Sequence, residues 1–334
     1  MRECLITGNT GESGGGILLG GGTMDRSVIT ANTATKNGGG VHSESEQGSA
    51  ITNCEIAYNH AALEGGGIYA RAYFTLDDPS FPTIKVQNCL IHDNTAASAA
   101  GLYAFADKLW PGFPKGAVRI ERTTFAANVP DTFIYHASSR SVTDSVIWNQ
   151  GPISPSAFFA TYSDIEFWSP GNHNLNVDPL FVDPANRNYH LRATSPCIDQ
   201  GSPAPARDFE GNAPVVVVDM GADEFAPHLA VPGVVTSGGP ITVNVYGTPG
   251  APVSLFASLV RTESGIETSY GSFALGLPLL PAFPLSLGAI GANSRTSITA
   301  TLPPSVPPGT IIHLQGFVGG TSPALTLPFT LLIL

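Results

Sequence analysis

Ile51-Thr52-Asn53-Cys54-Glu55-Ile56-Ala57-Tyr58-Asn59, continued by His60-Ala61-Ala62-Leu63-Glu64-Gly65-Gly66-Gly67-Ile68-Tyr69, is the clearest copy of a unit that recurs through the first half of the chain. Its first part, Cys54-x-Ile56-x-x-Asn59, returns as Cys4-x-Ile6-x-x-Asn9, Ser27-x-Ile29-x-x-Asn32, Cys89-x-Ile91-x-x-Asn94 and Thr123-x-Phe125-x-x-Asn128. A worn copy follows at Ser145-x-Ile147-x-x-Gln150. Three residues before each start stands an apolar residue: Met1, Met24, Ile51, Val86, Ile120 and Val142. The second part returns as Gly14-Gly15-Gly16-Ile17, Gly38-Gly39-Gly40-Val41 and the degenerate Ala99-Ala100-Gly101-Leu102.

Strand geometry sends alternate side chains to opposite faces, so Cys54 and Ile56 share one face and Glu55 takes the other. Such a unit cannot bury its apolar face alone; copies stacked about 4.8 Å apart make a continuous core, the logic of a solenoid. The Asn positions step by 23, 27, 35 and 34 residues, which suits short strands joined by loops of varying length. Asn at the strand end is expected to take a left-handed turn conformation and to hydrogen-bond to its equivalent one coil away. The glycine triplets supply positive φ and close backbone approach at the next corner.

At these residues the chain resembles a right-handed parallel β-helix, and the paired N…GGGI signals are similar to the repeats of polymorphic outer-membrane proteins and related bacterial surface proteins. The resemblance covers residues 1–168 and speaks for fold, because β-helices host lyases, hydrolases, adhesins and passive scaffolds alike.

The whole chain of 334 residues carries 37 Gly and 28 Pro, in keeping with many tight turns and little helix. Only 12% of residues are charged and the formal net charge is −11, which argues against a nucleic-acid partner. No apolar run reaches the roughly 18–20 residues of a membrane-spanning helix. Met1-Arg2-Glu3-Cys4 enters directly into a repeat without a charged-then-apolar leader, so the expectation is a start inside a longer protein. Cys4, Cys54 and Cys89 share the inward repeat position and read as small buried hydrophobes; Cys197 lies later, and no C-x-x-C pair points to zinc.

Function is sought on the outward positions. The residue after each glycine corner and its apolar partner is His42, Tyr69 and Tyr103, with Tyr135 expected to continue the line. Stacked on successive coils, these rings form either a ladder that stabilises the sheet or a platform for a glycan. Two insertions follow directly: Ala72–Lys85, with Tyr73, Phe74 and Phe81, and Phe105–Ala117, with Trp110 and Phe113. Glycan binding is accordingly placed on His42, Tyr69, Tyr103 and Trp110. For catalysis the candidates are Glu55 with His92-Asp93, and Asp77, Asp78 and Asp107 in the insertions, since paired carboxylates cleave sugars. Neither the calcium-and-arginine pattern of pectate lyases nor the aspartate and Gly-His-Gly pattern of polygalacturonases is present, so these acids read as surface charges and no catalytic residue is assigned.

After Gln150 the repeat fades through one last coil, Ala160–Ile165, and the turn Ser169-Pro170-Gly171-Asn172. Asp178-Pro179-Leu180-Phe181-Val182-Asp183-Pro184, Ser195-Pro196-Cys197-Ile198-Asp199-Gln200-Gly201, Asp208-Phe209-Glu210-Gly211 and Asp219-Met220-Gly221-Ala222-Asp223-Glu224-Phe225 then form an ordered series. It resembles the segment that ends many secreted bacterial β-helix proteins, including the choice-of-anchor Q group. Residues 169–226 are thus expected to cap the open end of the solenoid. Their acids are expected to accept turn amides or to pair with Arg187, Arg192 and Arg207. Calcium at Asp199, Asp208, Asp219 and Asp223 is the alternative, without EF-hand spacing to support it; no cofactor is assigned.

Residues 227–334 are rich in Pro and Gly with short alternating runs, such as Ile241–Tyr246 and Ile311–Val318, and read as a small β-sandwich. The runs Gly247-Thr248-Pro249-Gly250-Ala251-Pro252-Val253, Leu302-Pro303-Pro304 and Leu314-Gln315-Gly316-Phe317 resemble a C-terminal module of secreted planctomycete-like proteins, which implies export, sorting or attachment. The expectation is an all-β, exported or cell-surface scaffold or adhesin that binds a polysaccharide or surface glycan; the alternative is a polysaccharide lyase or glycoside hydrolase.

Overall fold

The structure, a computed structural model, describes residues 1–74, 83–108, 116–130, 133–136, 139–148, 159–168, 171–203, 207–209, 217–226, 228–230, 234–269, 271–280, 284–291, 295–320, 324–326 and 329–333. It forms two compact units, Met1–Glu224 and Phe225–Leu334. Among the described residues the only helical turn is the short 3-10 segment Pro184–Asn186.

In the first unit successive copies of the repeat stack their strands into three long parallel sheets and a short one of Thr10–Gly11, Thr33–Ala34 and His60–Ala61. The Cys-x-Ile motif supplies a seven-stranded sheet from Leu5–Thr7, Val28–Thr30, Glu55–Ala57, Leu90–His92, Thr124–Ala126, Val146–Trp148 and Asp164–Ile165. The residues after the glycine corner supply a five-stranded sheet from Ile17–Leu19 to Phe133–His136, and the apolar positions before each motif a six-stranded one from Gly22–Asp25 to Phe159–Thr161. Register is strict: Ile29, Ile56, Ile91, Phe125, Ile147 and Ile165 pair in succession and are fully buried. Met24, Ile51, Val86, Ile120 and Val142 close the core from the third side. The chain therefore winds as a parallel β-helix, and its Cys-x-Ile sheet ends at Asp164–Ile165.

Two side-chain ladders run beside the core. The Asn ladder forms as expected: the amide of Asn59 donates to Asn94 Oδ1 at 3.0 Å, and that of Asn94 to Asn128 Oδ1 at 2.9 Å. The second runs on the inward position of the Cys-x-Ile motif. There Ser27, Thr123, Ser145 and Ser163 accept the backbone N–H of the equivalent residue one coil earlier, and Ser27, Thr123, Ser145 and Ser163 donate to the carbonyl two residues back. The left-handed residue, however, is not Asn. It is the one before it, at Gly8, Ala31, Tyr58, Asp93 and Ala127, and again the one before the Cys/Ser/Thr position, at Arg26, Asn53, Asn88, Arg122 and Asp144. The Asn side chain reaches inward to its neighbours only when the preceding residue makes the bend. At the glycine corner Gly14, Gly38 and Gly65 have φ of 67 to 68°, whereas Gly66 is fixed by proximity: a Cβ there would lie 2.4 Å from the carbonyl oxygen of Thr95.

The segment after the last coil departs from its expected place. Asn174 and Leu175 do extend the ladders, accepting from Ser163 N and donating to Ser163 O. From Phe181 the chain then turns back as a strap along the outer face of the seven-stranded sheet, its hairpin Phe181–Asp183/Asn188–Leu191 antiparallel. Ser202 binds the Asp144 carboxylate through its N–H and hydroxyl at 2.6 and 2.7 Å, Ala222 N donates to Thr124 Oγ1, and Asn88 Nδ2 donates to Arg207 O. The outward positions record its path: Leu5 is 71% exposed and Val28 36%, while Leu90 is 8%, Thr124 2% and Val146 0% exposed. Lateral cover is needed because apolar Leu90 and Val146 face outward.

Besides a two-stranded sheet of Arg261–Thr268 and Gly271–Leu275, the second unit has two larger sheets, antiparallel except where Val234–Val235 runs parallel to Phe329–Ile333. One joins His228–Ala230, Pro240–Tyr246 and Arg295–Thr301; the other centres on Pro252–Ser258, Ile311–Val318 and Phe329–Ile333. Val243 and Val245 from the first and Leu255, Leu314 and Leu331 from the second share one core, as in a β-sandwich.

Candidate functional site

Strict register stacks the predicted stripe. His42 and Tyr69 occupy paired positions with ring centroids 4.7 Å apart and planes at 15°, and Tyr69 and Tyr103 lie 4.9 Å apart at 4°. Tyr69 thus has a ring on each face, and the stripe turns edges rather than faces outward. Burial holds the His42 imidazole below its usual pKa and the Tyr69 hydroxyl above its own. Ile134, not Tyr135, pairs with Tyr103; Tyr135 is in register with Ala104, one position out of phase. Trp110, with Asp77, Asp78, Phe81 and Phe113, lies outside the described residues, as do the side chains of Phe74 and Asp107.

On the seven-stranded sheet the Glu55, His92 and Asp93 of the repeat come together around a buried imidazole. His92 is 2% exposed; its Nδ1 lies 2.8 Å from Asp93 Oδ2 and its Nε2 3.2 Å from Glu55 Oε1. The strap closes the cluster, Tyr189 donating its hydroxyl to Asp93 Oδ2 at 3.0 Å. Tyr58 meets His92 edge-on, and the Arg187 guanidinium stands 4.5 Å from the centre of the Tyr58 ring. Burial disfavours the charged imidazole, but the bonds to Asp93 and Glu55 outweigh it and raise its pKa. Burial likewise opposes the Asp93 charge, and the bonds from His92 and Tyr189 reverse this and lower it. An imidazolium between two carboxylates is the arrangement these shifts favour.

Glu55 also faces a groove of about 610 Å³ where the strap leaves the sheet uncovered. Arg26, Val28 and Asn53 line it from the coils, Arg207, Asp208 and Phe209 from the strap. An apolar surface from Val28 and Phe209 is thus ringed by guanidinium, carboxylate and amide groups. Such a mixture suits a ligand with both C–H faces and hydroxyls. Sequence patterns singled out Glu55 as a candidate acid, Asp208 as a member of the ordered series and Arg207 as a partner for its acids, but not their meeting in one groove; Arg26 varies between repeats, and Arg207–Phe209 belongs to a segment whose path has no periodic signature.

The remaining strap acids are engaged with backbone amides, as anticipated: Asp223 Oδ2 accepts Leu191 N at 2.7 Å, Asp219 Oδ1 accepts Asp199 N at 2.7 Å, Asp208 accepts Glu224 N, and Glu224 accepts Asp219 N. Burial beside Asp219, Asp208 and Asp223 pushes Glu224 up to about 8, and burial raises Asp164 to about 6. Among the described residues no group of three or more His, Cys, Asp or Glu is placed to hold a metal ion. All four cysteines are free.

Residues 1–161 match a protein family described as a right handed beta helix region. The matched stretch is that of the stacked coils, which form a right-handed parallel β-helix. No curated protein and no solved structure matches the chain.

Proposed function

We propose that the protein is an exported or cell-surface β-helix scaffold that holds a glycan without cleaving it, in the groove between the strap and the second and third coils. The observation that carries this is the groove itself, which sets Phe209 and Val28 among Arg26, Asn53, Glu55 and Asp208. Phe209 and Val28 suit the apolar face of a sugar ring, and the polar groups suit its hydroxyls. Glu55 is bound to His92 and so supports a ligand contact better than a free acid or base. Among the described residues no helix is long and apolar enough to cross a membrane.

A glycan array and a polysaccharide-depolymerisation screen on the same chain, with and without calcium, test this proposal. They are run beside a groove variant, Arg26→Ala/Phe209→Ala, and a stripe variant, Tyr69→Ala/Tyr103→Ala/Trp110→Ala. Binding without cleavage, lost in the folded groove variant alone, is the expected outcome. Loss in the stripe variant alone moves the glycan to the aromatic ladder and the Trp110 insertion. Release of cleaved products makes the protein a lyase or hydrolase instead.

A further inference from the structure

The second unit contains a cleft of different chemistry, about 360 Å³ between its two sheets. Ile241 and Val243 come from one sheet and Leu255, Ala257, Leu314 and Leu331 from the other, all of them buried. Leu280, Leu302 and Val306, partly buried, also line it. Among the described lining residues Thr301 is the only one with a polar side chain, and none is charged.

Those walls constrain the occupant. A hydroxyl or charge carried inside would lose its water hydrogen bonds and find no replacement, so the inserted part must be hydrocarbon along its length. An apolar cavity of about 150 Å³ accommodates benzene, so this one holds a larger apolar body. Confinement between two facing sheets, roughly 10 Å apart, favours a flexible chain over a bulky ring system. Apolar surface also continues outside. Leu277 is 74% exposed, Leu259 53% and Val260 51%. Backbone bonds from Leu280 to Ala257 and from Gly276 to Val260 tie those residues to the segments that form the cleft. The only Lys or Arg residues of this unit are Arg261 and Arg295, and neither lines the cleft, so recognition falls on the chain and not on an anionic head.

We propose that this cleft takes the alkyl chain of a single-chain lipid, one per protein, with the head group left in water. The site is independent of the glycan groove. Its test is native mass spectrometry and competition binding on the full chain with dodecanoate and hexanoate, using wild type, Ala300→Trp at an exposed lining position and Ala257→Phe at a buried one. Dodecanoate should bind one to one. Each buried methylene multiplies affinity about fourfold, so hexanoate should bind far more weakly. Both variants should weaken dodecanoate by about tenfold or more, through occupied volume, while their circular dichroism stays native. If Ala257→Phe fails to fold, Ala300→Trp decides, since it replaces an exposed residue. The proposal is overturned by no adduct, by many adducts per chain, by equal binding of the two acids, or by undiminished binding in folded Ala300→Trp.

Discussion

Asn94 makes four hydrogen bonds with one side chain: Oδ1 accepts the backbone N–H and the side-chain amide of Asn59, and Nδ2 donates to Ile56 O and Asn128 Oδ1. Every partner is buried, so truncation leaves polar groups without replacement at about 1–3 kcal/mol each. Asn94→Ala should therefore cost about 4 kcal/mol in urea unfolding. Asn94→Asp keeps the acceptor but places a carboxylate against two carbonyl oxygens, and should cost more, increasingly so as pH rises above the carboxylate range. Equal stability of Asn94→Asp and wild type would show that the ladder's donors contribute nothing. The glycine corner offers a paired comparison. Ala99 sits at φ 51° where the other copies have glycine, and Ala99→Gly should raise stability by up to about 1 kcal/mol, the left-handed strain relieved less the entropy of glycine. Gly66→Ala should lower it sharply, because its Cβ would meet the Thr95 backbone at 2.4 Å. A thermal-unfolding series of the two variants checks both signs at once. That Asn and Gly recur was legible from the repeat. That the bend falls one residue before Asn was not, since Gly8, Ala31, Tyr58, Asp93 and Ala127 have no side-chain chemistry in common and the sequence leaves no mark there.

The strap is the element on which the site depends, for it supplies Tyr189 to the His92 cluster and Phe209 to the groove. Its own acids set a pH dependence. Glu224 has an ordinary value near 4.5 and stands at about 8 when folded, so the folded state holds the proton that the unfolded state releases first. Stability is then highest below the ordinary value and falls as pH rises from about 4.5 to about 8. Glu224→Gln keeps an oxygen for the Asp219 amide and cannot ionise, so it should flatten that decline and melt above wild type at pH 8. Melting curves of the two proteins across that range decide the matter; parallel profiles would remove Glu224 as the cause. His92 runs alongside, since its raised pKa adds stability that is full below its unfolded value and lost as pH climbs through the folded one. The acidic series was legible as hydrogen-bond acceptors for turns. Its direction along the flank was not, because contacts such as Tyr189 to Asp93 and Asn88 to Arg207 link residues about a hundred apart, and alternation within a strand carries no record of which coil lies opposite.

At the scale of the whole molecule, two cores share one chain: the β-helix buries Phe125 among stacked isoleucines, and the second unit buries Leu331 between sheets. Stacked coils unfold through contacts with their neighbours, whereas a sandwich closes on itself, so each core should set its own transition in calorimetry. Removing a large buried side chain costs about 2–5 kcal/mol where the cavity stays open. Phe125→Ala should accordingly lower one transition and Leu331→Ala the other, each leaving its counterpart in place. Dodecanoate adds a third axis, because a ligand at about a hundred times its Kd stabilises the state that binds it by about 2.7 kcal/mol, several degrees for a unit of this size. It should raise the transition lowered by Leu331→Ala and leave the one lowered by Phe125→Ala unmoved. If both variants shifted a single transition together, the two cores would unfold as one cooperative body; if the lipid raised the β-helix transition and not the other, the assignment of the chain-binding cleft to the second unit would fail.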